Sequence, residues 1–373
     1  MSLRYARKSR IIEEYKEIRA EAIKTIHSVF QKGKLVLGEP LYEFEESLAD
    51  YIGAPFAVGV GSGSDAIYLG LIASGVGTGD EVITVGNVCV AVVESILRTG
   101  ASVRFVDINS STYHIDTRKL KQTINACTKA ILVVHAYGLP APMEDVKEIV
   151  NDSSVKVFEA CGQAFGARYQ GKIVGSIGDV GCLSFNPGKI LGGIGDGGAV
   201  TTKHENIAQK VRKLRDHGRK RVGAEAEYLG ISSRLGTVNA AVLNTKLQYV
   251  DEWIKLRQKK ADLYQDFLRP DIKFQTQPVD REGMYQFLVV EVKNRKKVIH
   301  QLKTNGIDVK IHYSPPPYEM KAYKDCDLIS GIESLEVTNR VLKRILTLPL
   351  HRYLSEAEIK LVAELLKKST KSY

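Results

Sequence analysis

The chain has 373 residues, 44% hydrophobic and 26% charged. This is the composition of an ordinary globular protein, which excludes a disordered or fibrous chain and leaves room for two domains. The formal net charge of +10 favours an anionic partner. However, no basic run carries interleaved aromatics and no apolar run approaches a membrane span, so neither nucleic acid nor a membrane is expected and an anionic small molecule is kept.

The N-terminal residues M-S-L-R-Y-A-R-K-S-R lack an apolar signal core, and the cytoplasm is the expected location. Residues 11–32 place apolar side chains at three-to-four spacing, which predicts an amphipathic helix. From 55 to 202 seven β-rich runs follow: A-V-G-V, E-V-I-T-V, S-V-R-F-V, A-I-L-V-V, V-K-V-F, V-G-C-L-S-F and A-V-T-T. Several are followed by helical patterns, as in D-A-I-Y-L-G-L-I-A-S-G. Continuous apolar strands alternating with helices predict an α/β domain with a mostly parallel seven-stranded sheet covered on both faces. Beyond about residue 245 the pattern changes to a long helix at 249–267, strands at Y-Q-F-L-V-V-E-V and D-V-K-I-H-Y, a helix near 296–305 and a terminal helix after S-E-A-E. The expected organisation is therefore a large domain, 1–245, and a smaller C-terminal α+β domain, 246–373. Five scattered cysteines without C-x-x-C spacing argue against disulfides and against a metal site.

Ligands in open α/β sheets sit at the carboxyl ends of strands, so the loops after strands hold the chemistry. The stretch S-F-N-P-G-K-I-L-G-G-I-G-D-G-G places Lys189 after such a strand. A P-loop needs G-x-x-x-x-G-K-[ST], but here Leu183 and Ile190 break the pattern at both ends. Gly193, Gly195 and Gly198 spell G-x-G-x-x-G but run into a strand, not a helix, and are discounted. Gly59 to Ser64 has the strand–loop–helix setting, with Ser64 in place of the third glycine, and suits one phosphate. One phosphate cradle and a separate lysine fit a phosphate-bearing aldehyde, because an amine held near a carbonyl forms a Schiff base. Pyridoxal 5'-phosphate is such a cofactor; a nicotinamide dehydrogenase using the Gly59–Ser64 loop is a rival.

The segments G-S-G-S-D-A-I, G-D-E-V-I-T-V, V-V-H-A-Y-G, S-I-G-D-V-G-C-L-S-F-N-P-G-K, G-D-G-G-A-V and R-D-H-G, in this order, resemble the nucleotide-sugar aminotransferases, a branch of the fold-type I pyridoxal-phosphate enzymes. The resemblance covers nearly the whole chain. It implies that Lys189 bonds the cofactor and shuttles the proton, that Gly63, Ser64 and Ser184 hold the phosphate, and that Gln163 lies beside the ring oxygen. It implies a homodimer in which Gly230–Arg234 reaches the neighbouring subunit's phosphate, with Ser232 where asparagine is usual and Arg234 kept. It also implies L-glutamate as donor, the pyridoxamine form of the cofactor as its alternate state, and a nucleotide-diphosphate sugar as acceptor. H-Y-S-P-P-P-Y-E resembles the segment bordering the sugar in members acting at carbon 3, which makes His312, Tyr313 and Tyr318 candidate substrate residues.

Two departures stand out. Where the family reads E-D-A-A-Q, this chain has Glu159-Ala160-Cys161-Gly162-Gln163, so Ala160 replaces the aspartate that pairs with the pyridine nitrogen. Glu159 cannot replace it, because adjacent strand residues face opposite ways. Cys89 replaces the aromatic residue that stacks on the ring. These departures keep open an alternative, a cofactor-binding paralogue with a regulatory role. His135 reads as a structural histidine at a strand end, while His217 reads equally as a packing residue or a pocket residue.

Overall fold

The computed structural model describes residues 6–371 apart from 152 and 222, and omits the side chains of residues 6–10 and 371; the extreme ends of the two expected domains, and with them the first half of the N-terminal decapeptide, lie outside the described residues. The seven expected runs all form strands: β1 (Phe56–Val60), β2 (Glu81–Val85), β3 (Ser102–Val106), β4 (Thr128–Val134), β5 (Lys156–Ala160), β6 (Val180–Ser184) and β7 (Gly198–Thr202). An eighth strand that the pattern did not predict, β8 (Ile329–Ser330), adds to the edge beside β3. Two residues carry no readable period, and the pairing is made by tertiary placement alone. The sheet order is β1-β7-β6-β5-β4-β2-β3-β8. Only β7 runs antiparallel to its neighbours; the rest pair in parallel. Every residue of β2 and β7 is buried, as strands covered on both faces should be.

The helices that matter here are α1 (Ala6–Lys32), α2 (Gly63–Ala73), α3 (Val90–Leu97), α4 (Val250–Leu268) and α5 (Glu336–Arg344). Ser62 starts α2, its hydroxyl accepting from Asp65 N at 3.1 Å, which satisfies one of the donors that a helix start leaves without an intrahelical partner. The parallel strands end where α2 and α3 begin, so both helix starts face the same end of the sheet.

Two apolar cores form. The larger surrounds the main sheet; the second lies among residues 261–366, with Tyr264, Val290, Leu302, Leu346 and Ile359 buried. Helix α4 serves both, contributing Val250, Trp253 and Ile254 to the first and Ala261, Tyr264 and Leu268 to the second. A three-stranded antiparallel sheet, Lys273–Phe274, Leu288–Glu291 and Ile345–Leu348, backs the second core. The expected strand D-V-K-I-H-Y is reduced to a single bridge between Lys310 and Thr347. Pro315, Pro316 and Pro317 follow at once and cannot donate to a ladder.

One carboxylate ties the later segment to the main sheet. Asp107, just past β3, accepts from Val337 N at 3.0 Å, from Thr338 N and Oγ1 at 2.8 Å, and from Lys119 Nζ at 2.8 Å. It therefore caps the start of α5, where a negative charge is favoured. Burial opposes its charge, but these partners prevail and hold its carboxyl below the usual range.

His114 is fully buried, with Nε2 2.9 Å from Leu139 O. Burial, reinforced by nearby Arg281, pushes its pKa down from 6.5 to about 3. The folded protein thus keeps this ring neutral while the unfolded chain takes up a proton, so stability falls as pH drops below 6.5 and goes on falling toward about 3. Unfolding free energy measured from pH 6.5 down to about 5 should decline with a slope approaching about 1.4 kcal/mol per pH unit, and His114→Gln should flatten that slope.

Candidate active site

At the carboxyl end of the sheet a cavity of about 300 Å³ is lined by residues of the α2 turn, the start of α3, the ends of β5 and β6, the lysine loop and Tyr313. It brings together eight of the residues singled out in the sequence: Gly63, Ser64, Cys89, Ala160, Gln163, Ser184, Lys189 and Tyr313.

The end of the cavity at α2 rests on a close approach. A Cβ on Gly63 would stand 2.6 Å from Ser184 Cβ, so only glycine lets the first turn of α2 come down on the end of β6. That contact places Ser184 beside the N–H groups of a helix start, an arrangement suited to an anion. Ser233 pins the turn from behind: its hydroxyl accepts from Gly61 N at 3.0 Å and donates to Asp65 Oδ2 at 2.8 Å.

Lys189 ends a tight turn. Asn186 Oδ1 accepts from Gly188 N at 3.0 Å, and Lys189 N donates to Asn186 O at 2.8 Å. Gly162 lies beside the amine and under Ser184: a Cβ there would stand 3.3 Å from Ser184 Cβ and in ordinary contact, 4.0 Å, with Lys189 Nζ. At the rim, Asn186 Nδ2 donates to Asp196 Oδ1 at 3.0 Å. Gln163 is fixed from both sides, accepting at Oε1 from Tyr137 N at 2.8 Å and donating from Nε2 to Tyr313 Oη at 3.0 Å. Because the Tyr313 oxygen accepts that bond, its own proton remains to be given. Burial raises its pKa well above the ordinary phenol value, so it acts as a neutral donor.

The strand parity read in the sequence holds. Glu159 points away from the cavity and is fully buried. It accepts from His135 Nε2 at 3.0 Å, Gly175 N at 2.9 Å, and Ile177 N and Gly178 N at 2.8 Å each. Burial works against the charge, but His135 and the backbone donors outweigh it and depress the pKa. His135 Nδ1 in turn accepts from Ala141 N at 2.9 Å, so this histidine is a structural link. Ala160 pairs in register with Cys182 across β5 and β6, and both line the cavity. Cys182 was not singled out in the sequence; strand alternation from Ser184 places it on the same face, but only the register shows that it stands beside Ala160. Asn186 and Asp196 were likewise missed, since a rim pair needs the folded turn to be seen.

Five candidates lie outside this cavity. His312 lines a neighbouring cavity of about 130 Å³ beyond Gly188, with Nδ1 2.8 Å from Thr347 Oγ1 and its ring stacked on Phe287 at 3.7 Å. Tyr318 is buried against Phe105 and donates to Asn339 Oδ1 at 2.7 Å; its hydroxyl is used within the fold. Ser232 is exposed and accepts from Arg234 Nη2 at 2.6 Å, while Arg234 Nη1 donates to Asp216 Oδ1 at 2.9 Å. His217 has left-handed backbone, φ 61°, and its N–H donates to Ile231 O at 3.0 Å.

A glycine-rich turn at a helix start, facing a lysine on a neighbouring loop, is an α/β arrangement suited to a phosphate-bearing carbonyl compound. Residues 16–367 match the DegT/DnrJ/EryC1/StrS aminotransferase family, and the chain belongs to it. It is 36% identical to the dTDP-3-amino-3,6-dideoxy-alpha-D-galactopyranose transaminase of Aneurinibacillus thermoaerophilus, covering 92% of this chain and 94% of that protein. It is 35% identical to the UDP-2-acetamido-2-deoxy-3-oxo-D-glucuronate aminotransferase of Pseudomonas aeruginosa, covering 90% and 92%. The fold superposes with a TM-score of 0.93, at 32% identity, on S. venezuelae DesV in complex with a ketimine intermediate, covering 97% of this chain and 98% of that one. The chain is accordingly a pyridoxal-phosphate-dependent aminotransferase.

The residues present fit the cofactor: a cavity of adequate size, a phosphate seat that a Cβ on Gly63 would fill, and an amine facing it. Gly63→Ala should therefore leave the far-UV circular dichroism unchanged and weaken pyridoxal-phosphate binding at least about tenfold, ~1.4 kcal/mol, as measured by fluorescence titration of the apoprotein.

Proposed function

We propose that this protein moves an amino group from L-glutamate to a keto carbon of a nucleotide-linked deoxysugar, carbon 3 being favoured, as a cytoplasmic homodimer. The observation that carries the reading is Lys189 in one cavity with the Gly63–Ser64–Ser184 phosphate seat, on a chain whose relatives named above are transaminases of 3-amino or 3-oxo nucleotide sugars. The regulatory alternative is not favoured by those relatives. Among the described residues no helix is long and apolar enough to cross a membrane.

When bound, the cofactor supplies a carbonyl that takes and gives up the amino group and a ring that withdraws electrons. The protein's residues supply the rest. The N–H groups at the start of α2, with Ser64 and Ser184, would hold the phosphate. Lys189 Nζ would attach the cofactor covalently and, when free of it, would serve as the base that takes and returns the proton of the substrate carbon. Gln163, locked by Tyr137 and Tyr313, presents its amide beside the reacting face. The Tyr313 hydroxyl is a neutral donor suited to a keto or hydroxyl oxygen of the sugar.

The homodimer is supported by residues that serve nothing in their own protomer's cavity. Ser233 is turned inward onto Gly61 and Asp65, and its neighbours Ser232 and Arg234 are therefore directed outward. Arg234 has one guanidinium nitrogen on Asp216 and one on Ser232, which orients a cation for a second protomer's phosphate. The surplus positive charge suits a nucleotide diphosphate.

Borohydride treatment of the loaded protein should fix the cofactor to the peptide carrying Lys189, detected by mass spectrometry, and Lys189→Ala should lose the adduct and lower the glutamate half-reaction by at least about 10³-fold. Retention of the half-reaction in Lys189→Ala, or a protein that takes up no pyridoxal phosphate, would overturn the assignment.

A further inference from the structure

We propose that this cavity holds the pyridine nitrogen of its cofactor unprotonated, with Ala160 and Cys182 forming the uncharged wall that faces it; this rests on the pyridoxal-phosphate reading above. In pyridoxal phosphate the ring nitrogen is para to the carbon that bears the aldehyde, and the ring oxygen and the phosphate arm flank that carbon. The groups that can anchor those three substituents are Lys189, Gln163 and the Ser62–Ser64–Ser184 seat. The nitrogen is left to the remainder of the lining, whose deep members are Ile67, Val92, Val134, Ala160 and Cys182.

The titratable groups around the cavity are Lys189, Tyr313, Cys89, Cys182 and Asp196, and none of them is an acid placed to pair with a pyridinium. Lys189 is the covalent anchor. Tyr313 is neutral and already bonded to Gln163. Cys182 is buried, its thiol directed at Ala66 O at 3.6 Å, and burial drives its pKa upward so that it stays a thiol. Cys89, half-buried at the start of α3, is a further thiol. Asp196 is exposed at the rim and accepts from Asn186 on the lysine loop. The one buried carboxylate close in sequence, Glu159, faces the opposite side of β5 and is saturated by four donors. Turning it inward would strand the His135 ring and three backbone N–H groups, all buried, without an acceptor. A weak base enclosed by apolar groups and a neutral thiol keeps its uncharged form, because burial disfavours charge and no partner restores it. The ring then withdraws electrons less strongly, and more of the proton transfer rests on Lys189.

The test is nitrogen magnetic resonance on the protein loaded with pyridoxal phosphate labelled with ¹⁵N in the ring, at neutral pH. The wild-type signal should lie at the position of free cofactor titrated to its unprotonated ring form, and Ala160→Asp should move it to the pyridinium position. A pyridinium signal in the wild type overturns the proposal, and an unchanged signal in a folded, loaded Ala160→Asp overturns the assignment of Ala160 to the ring nitrogen. The wild-type spectrum against free cofactor decides the first point even if the variant fails to fold. Absence of any bound signal, together with absence of a borohydride adduct at Lys189, would instead defeat the cofactor reading itself, so the two failures are distinguishable.

Discussion

The carboxylate of Glu159 sets the geometry on which the site depends. It sits without solvent on the far face of β5, where one histidine N–H and three backbone N–H groups meet it. A buried charge is tolerable only when its lone pairs are met in this way. Once it is fixed, strand alternation determines its neighbours. Ala160 must face the cavity, and the turn that follows delivers Gln163 to the same side. The segment Gly175–Gly178, which supplies the three backbone donors, is held by the same charge. Its position leads directly into β6, which carries Cys182 and Ser184. A single buried interaction therefore aligns both strands whose ends form the floor of the cavity.

From that floor the other parts are brought in by links that cross the chain at long range. The lysine loop is shaped by the Asn186 turn and braced by Gln286, which lies just before the strand Leu288–Glu291 and whose Nε2 donates to Gly188 O at 3.0 Å. Tyr313 comes from a segment beyond α4 and reaches Gln163. Asp107 gathers α5 onto the end of β3. The later third of the chain thus packs a core of its own yet contributes one side chain to the cavity, one brace to the lysine loop and one strand to the sheet edge.

Much of this was legible in the sequence, and what was not has identifiable causes. The seven long strands were readable because doubly covered strands appear as continuous β-branched runs. The strand β8 was not, because two residues have no period. D-V-K-I-H-Y had the period of a strand but lacked a partner row; three prolines follow it and only Lys310 bridges to Thr347. In the site, Lys189 and the Gly63–Ser64 turn stood out because a lysine and glycines after strands are locally unusual. The parity of Glu159 was readable as well, although the groups that receive it come from 16 to 19 residues further on. Cys182 was unreadable as a wall residue. It looks like any small strand residue until the register sets it against Ala160.

The pattern of what is kept and what is changed separates two tasks that a cofactor enzyme performs. On the proposed reading, holding the cofactor falls to a phosphate seat and a covalent anchor, and the residues for both are present. Tuning it falls to what faces the ring nitrogen and the ring face, where the same reading puts Ala160 and Cys89. Neither change opens the fold: Ala160 remains buried beside Cys182, and Cys89 sits at the start of α3 without disturbing it. Because binding is carried by the phosphate and the lysine, the ring environment could change without loss of the cofactor. A less polarised ring stabilises a neighbouring negative charge less, so the transition state must draw more of its stabilisation from the proton carrier and from donors that meet the sugar. In this cavity those are Lys189 and Tyr313, and the Gln163 bridge that fixes Tyr313 is the structural provision for that shift.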